Sequence, residues 1–149
     1  MIRPGSTKAT NNNDKYLSLK VSLRIDALNN SEHNNILECF AGDSVIWNKV
    51  KNTTKKTFTI YKIDANEKYN VDYCGNALKY LKNNSINNYN IIDLDSWGSP
   101  VKYLEHIFKT NFKGTVLCTY CSPISLNPDK ILANNFYGHI YAKSKKSLF

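Results

Sequence analysis

The sequence predicts an α/β fold in which a mostly parallel sheet carries helices on both faces. Three observations predict it. Short apolar runs rich in β-branched and aromatic residues recur along the chain, at 36–40, 58–63, 89–94 and 114–121. Helix-like segments separate them, and strands alternating with helices form parallel sheets covered on both sides. Polar or acidic residues close several of these runs, in the order that one sheet binding a ligand at its carboxyl edge requires.

Residues 1–13 are polar and are expected to form a flexible N-terminal segment. From Asp14 the apolar residues Leu17, Val21, Ile25 and Leu28 follow a helical spacing, although Leu17, Leu19, Val21, Leu23 and Ile25 also alternate as a strand would. The helix is preferred, and NNSEHNN breaks it. ILECF (36–40) reads as a buried strand, DSVIWNKVK (43–51) as a helix and FTIYKI (58–63) as a strand. NVDYC (70–74) is a weaker strand, NALKYLKNN (76–84) a short helix and YNIIDL (89–94) a strand. PVKYLEHIFKTNF (100–112) reads as a helix and GTVLCTYC (114–121) as a strand. In the remainder PDKIL can start a helix and FYGHIYAK can add a strand before the basic end KSKKSLF.

A length of 149 residues suits a single domain spanning 1–149. Lys and Arg outnumber Asp and Glu by 20 to 12, a formal charge of +8, which suits an anionic partner such as nucleic acid. No run approaches the roughly 18 apolar residues of a membrane span, and the first residues lack the apolar core of a signal peptide. A cytoplasmic protein without a membrane partner is therefore expected. Cys39, Cys74, Cys118 and Cys121 count as thiols in that compartment. One CxxC without a second pair is a weak metal signal, and no metal is expected.

The candidate site lies at the strand ends. ILECFAGDSVIW places Glu38 in the first strand and Gly42 in the turn to the next helix, where backbone N–H groups are free for a ligand. KIDAN puts Asp64 at the end of the second strand, where an acidic side chain can accept hydrogen bonds from ribose hydroxyls. Asn76 stands at the expected N-cap of the following helix. IIDLDSWGSP closes the next strand with Asp93 and Asp95 on one side, followed by Trp97 and a Gly-Ser-Pro turn.

These segments resemble class I, Rossmann-like methyltransferases that use S-adenosylmethionine. ECFAGDS is similar to the family's acidic-x-Phe-Ala-Gly-x-Gly loop, with Ser44 in place of the second glycine. KIDAN resembles the acidic end of its second strand, and GNAL its Gly-Asp-Ala, with Asn76 in place of aspartate. IIDLDSWGSP is similar to the Asp-x-Asp-Pro-Tyr/Phe-Gly-Ser-Pro segment of tRNA (guanine-N2)-dimethyltransferases, with Ser96 for the proline and Trp97 for the smaller ring. The resemblance runs from about Ile36 to Ser122.

It implies S-adenosyl-L-methionine as cofactor, bound by Glu38, Phe40, Ala41, Gly42, Asp64, Ala65, Asn76, Ala77 and Asp93. It implies a catalytic set of Asp95, Asp93 and Trp97: Asp95 accepts from the target amine, Asp93 supports it and Trp97 stacks on a base of RNA or DNA. Two departures follow. The helix between the second and third strands is expected to be almost absent, since 12 positions separate Asp64 from Asn76, and the fold is expected to be truncated at its C-terminal end. Recognition could then need a homo-oligomer or a separate subunit, and a catalytically inactive S-adenosylmethionine-binding module is the alternative reading.

Overall fold

A computed structural model describes residues 14–96 and 99–119, with side chains described from Leu17 onward. Helix α1 (Asp14–Asn29) precedes strand β1 (Asn35–Cys39), helix α2 (Val45–Thr53), strand β2 (Thr59–Asp64) and strand β3 (Tyr73–Cys74). Helix α3 (Ala77–Asn83), strand β4 (Ile91–Leu94), helix α4 (Val101–Phe108) and strand β5 (Thr115–Cys118) complete the described elements. All four strand pairings are parallel, in the order β3-β2-β1-β4-β5. The α/β fold read from the alternation of apolar runs and helical segments is the one formed. The expected tail elements PDKIL and FYGHIYAK, the flexible segment 1–13, the C-terminal truncation, Cys121 and Trp97 lie outside the described residues.

Side chains alternate across a strand, so adjacent residues feed opposite faces of the sheet. Leu37, Cys39, Ile63, Ile92 and Leu94 meet Ala77, Tyr80, Leu81, Tyr103 and Ile107 of α3 and α4. Ile36, Ile91 and Leu117 meet Ala27 and Leu28 of α1 and Trp47 and Val50 of α2. Burial on both faces explains why all four residues of β4 are buried, as parallel sheets demand. Each fully buried Ile or Leu of this strand stabilises the fold by roughly 1.5–3 kcal/mol.

Helix α1 forms where its apolar spacing placed it, but with a different inward face. Arg24, Ala27 and Leu28 are buried, whereas Leu17, Val21 and Ile25 remain half-exposed along a groove beside α2. The physical reason is a charge held inside: Arg24, 2% exposed, turns toward the sheet and takes Lys20, one turn earlier, with it.

Residues 65–72 join β2 to β3 without a helix, as the short spacing between Asp64 and Asn76 requires. Asp72 secures that link by accepting from the Lys62 backbone N–H at 2.7 Å. On that side of the sheet Phe58 and Ile60 pack against the α1/α2 cluster, and no helix from 65–72 adds to that cover.

Candidate functional site

Strand order places a reversal between β1 and β4, the position where open parallel sheets receive ligands above their carboxyl ends. The loop leaving β1 there is unusual in its backbone. Phe40, Gly42 and Ser44 all have positive φ, at 66°, 52° and 51°. A non-glycine residue in that region costs roughly 1–2 kcal/mol, so two such residues require compensation. Phe40 packs edge-on against Tyr103 with centroids 5.1 Å apart. Ser44 donates its hydroxyl to Glu38 and accepts the Asn48 N–H at 2.9 Å through its carbonyl. Serine thus adopts a left-handed backbone that glycine would favour, and its side chain is fixed inward on Glu38.

Asp64 organises the neighbouring edge. Its Oδ2 accepts the Gly42 N–H at 2.9 Å, and its Oδ1 accepts the Asn66 N–H at 2.8 Å. A carboxylate offers about four acceptor positions, so roughly two stay free for a ligand. The Ala41 N–H reaches the Ile63 carbonyl at 3.0 Å and the Gly75 N–H reaches the Asp64 carbonyl at 2.7 Å. These bonds tie the ends of β1, β2 and β3 into one crest carrying Glu38, Ala41, Gly42, Asp64 and Asn76. Ala65 is exposed directly after Asp64, and Ala77 is buried as the first residue of α3.

Asn76 caps α3, its Oδ1 accepting the Lys79 N–H at 3.1 Å. Its amide NH2 remains available as a donor, suited to a ring nitrogen of a purine.

Glu38 is buried, 6% exposed, in register with Lys62 on one side and Asp93 on the other. Burial is the main reason its carboxyl is pushed up from 4.5 to about 8; Asp93 adds to the rise, while the Ser44 hydroxyl, Arg24 and Lys62 oppose it. At neutral pH Glu38 is therefore mostly protonated.

The β4 end is built around two acids and two bases. Arg24 clamps Asp93 with two bonds, Nε to Oδ2 at 2.8 Å and Nη2 to Oδ1 at 2.7 Å, and Trp47 Nε1 donates to the same Oδ2 at 2.8 Å. Burial pushes the Asp93 carboxyl up, opposed by the Arg24 charge and by these three donors. Asp93 is 1% exposed, so in this conformation it reaches a ligand only through its neighbours. Two residues on, Asp95 takes Lys20 Nζ on both oxygens at 2.7 and 2.8 Å. Burial raises Asp95, but hydrogen bonds from Lys20 and Thr119 and the charges of Lys20 and Arg24 outweigh it and hold the carboxyl below its ordinary range. The Ser96 hydroxyl, 5% exposed, has no hydrogen-bond partner among the described residues and is an orphaned polar atom beside Asp95.

Lys20 and Arg24 were not among the residues the sequence singled out. The signal existed: bases four apart on a helix face acids two apart on a strand, a match of one helical turn to one strand repeat.

No protein-family model matches the chain, and no curated protein or solved structure gives a match.

Proposed function

We propose that the chain binds S-adenosylmethionine across the ends of β1, β2 and β3 and transfers its methyl group to an amine of a nucleic-acid base, of the guanine-N2 kind in RNA. The observation that carries the reading is the Gly42–Asp64 hydrogen bond, which joins the loop leaving β1 to the end of β2 and sets a close-approach glycine beside a carboxylate with free acceptor positions. The residues present fit the cofactor's chemistry. Asp64 would accept from ribose hydroxyls, the Asn76 amide would donate to adenine, and Glu38 would face the methionine ammonium. The Ser96 hydroxyl, buried and without a hydrogen-bond partner among the described residues, would be a further polar group beside Asp95.

When bound, the cofactor supplies an electrophilic methyl group on a sulfonium. The protein's share is alignment and exclusion of water, since in-line displacement asks for little covalent participation. On taking the methyl group the amine would gain positive charge, and Asp95 would accept a hydrogen bond from it and then its proton. Lys20 must yield part of its hold on Asp95 for this to occur.

That hold favours a second reading. A carboxylate neutralised by a bidentate lysine is a weak base, which suits a module that binds the cofactor without catalysing transfer. Methyl incorporation into bulk RNA from radiolabelled S-adenosylmethionine separates the two. Incorporation that disappears in Asp95→Asn while cofactor binding persists supports catalysis; cofactor binding without incorporation by the unaltered chain supports the module.

A further inference from the structure

The absent helix between β2 and β3 has opened a cleft on the flank of the sheet. About 510 Å³ in volume, it runs from the Gly42–Ser44 loop down between α2 and β2. Lys51 of α2, Lys56 and Lys62 of β2 line it, with Phe58 also in its wall and Asp43 as its one carboxylate residue. Among the described residues none of these lysines pairs with a carboxylate. Lys56 Nζ donates to the Leu28 carbonyl at 2.8 Å and Lys62 Nζ to the Asn70 carbonyl at 2.9 Å. A carbonyl orients an ammonium without cancelling its charge, and each of the two keeps two further N–H donors. The cleft thus carries three lysines against one carboxylate, two of them held by carbonyls, is sized for a nucleotide, and opens at the loop of the proposed cofactor site.

We infer that this cleft holds the phosphodiester backbone of a single-stranded nucleic acid. A cationic groove with an aromatic wall is the arrangement that tracks such a backbone, and it engages phosphates without reading bases. The cleft can hold phosphates whether or not the crest binds S-adenosylmethionine. Only the direction of the strand, from the flank toward Asp95, rests on the proposed methyl transfer.

The test is fluorescence anisotropy of a labelled single-stranded RNA 12-mer across a salt series, with the unaltered chain, a Lys51→Gln/Lys56→Gln variant and a Lys82→Glu variant. Glutamine at 56 retains a donor for the Leu28 carbonyl, and Lys82 is an exposed residue of α3, packed on the opposite sheet face. Loss of two phosphate contacts should lower the slope of log affinity against log salt by about 1.4 and weaken binding roughly 25-fold near 0.1 M salt. Lys82→Glu should leave the slope unchanged. An unchanged slope in the double variant with a native circular-dichroism spectrum, or an equal loss in Lys82→Glu, would overturn the inference. So would displacement of the RNA by adenosine 5′-monophosphate at the RNA's own affinity, which would make the ligand a free nucleotide. Calorimetry with S-adenosylmethionine on the same variants keeps the readings apart: lost RNA binding with retained cofactor binding condemns neither, and absent cofactor binding with lysine-dependent RNA binding overturns the methyltransferase reading alone.

Discussion

Replacing Glu38 with glutamine isolates a carboxyl that burial pushes up. In the folded chain this group keeps its proton to a pH of about 8, against 4.5 for an ordinary glutamate, because burial disfavours its charge. Between those values the folded state binds more protons than the unfolded one, so stability falls as pH rises. The contribution is fully present below 4.5 and is lost as pH passes through about 8. At 1.36 kcal/mol per pH unit, the whole interval corresponds to about 5 kcal/mol, and the steepest slope is about 1.4 kcal/mol per pH unit. Glutamine has a similar shape, accepts the Ser44 hydroxyl and does not titrate. Urea unfolding of both proteins from pH 5.5 to 8.5, followed by tryptophan fluorescence, should show the unaltered chain losing stability relative to Glu38→Gln by roughly 2–4 kcal/mol across that range. Every group common to both proteins cancels in the difference. Parallel profiles would refute the reasoning, because they would mean that Glu38 ionises alike in the folded and unfolded states.

Arg24→Met should destabilise the fold by about 3–5 kcal/mol, because it leaves Asp93 as an unpaired buried charge; adding Asp93→Leu should recover much of that loss in a double-mutant cycle followed by urea unfolding. Gly114→Ala should cost about 1–3 kcal/mol in the same assay, since an added Cβ would lie 2.4 Å from the Asn90 carbonyl oxygen that accepts the Thr115 N–H. Asp95→Asn should abolish methyl incorporation into RNA and leave the calorimetric affinity for S-adenosylmethionine within about twofold, the outcome expected when a group acts on the acceptor rather than on the donor.

Much of the fold was legible because local and global signals agreed. FTIYKI and YNIIDL could be little other than strands, and the closeness of Asp64 to Asn76 left almost no room for a helix. Asp64 and Gly42 could be placed together from strand order alone, since parallel neighbours end at a common edge. The inward face of α1 could not be read in the same way. Its apolar residues follow one stripe, yet the buried charge pair draws Arg24 and Lys20 inward, and the energy of that pair depends on partners about seventy residues away. The flank cleft was hidden for a related reason: Lys51, Lys56 and Lys62 are ordinary surface lysines until the missing helix leaves them facing one space.

The most direct measurement is calorimetric titration of S-adenosylmethionine into the unaltered chain and Asp64→Ala, in two buffers of different ionisation enthalpy. Binding should be saturable, should weaken roughly 10- to 100-fold without the carboxylate, as expected for lost hydrogen bonds to a charged group, and should release a proton near neutral pH as the ammonium drives Glu38 to ionise. No saturable heat, or equal affinity in Asp64→Ala, would contradict a cofactor seat at the Gly42–Asp64 edge.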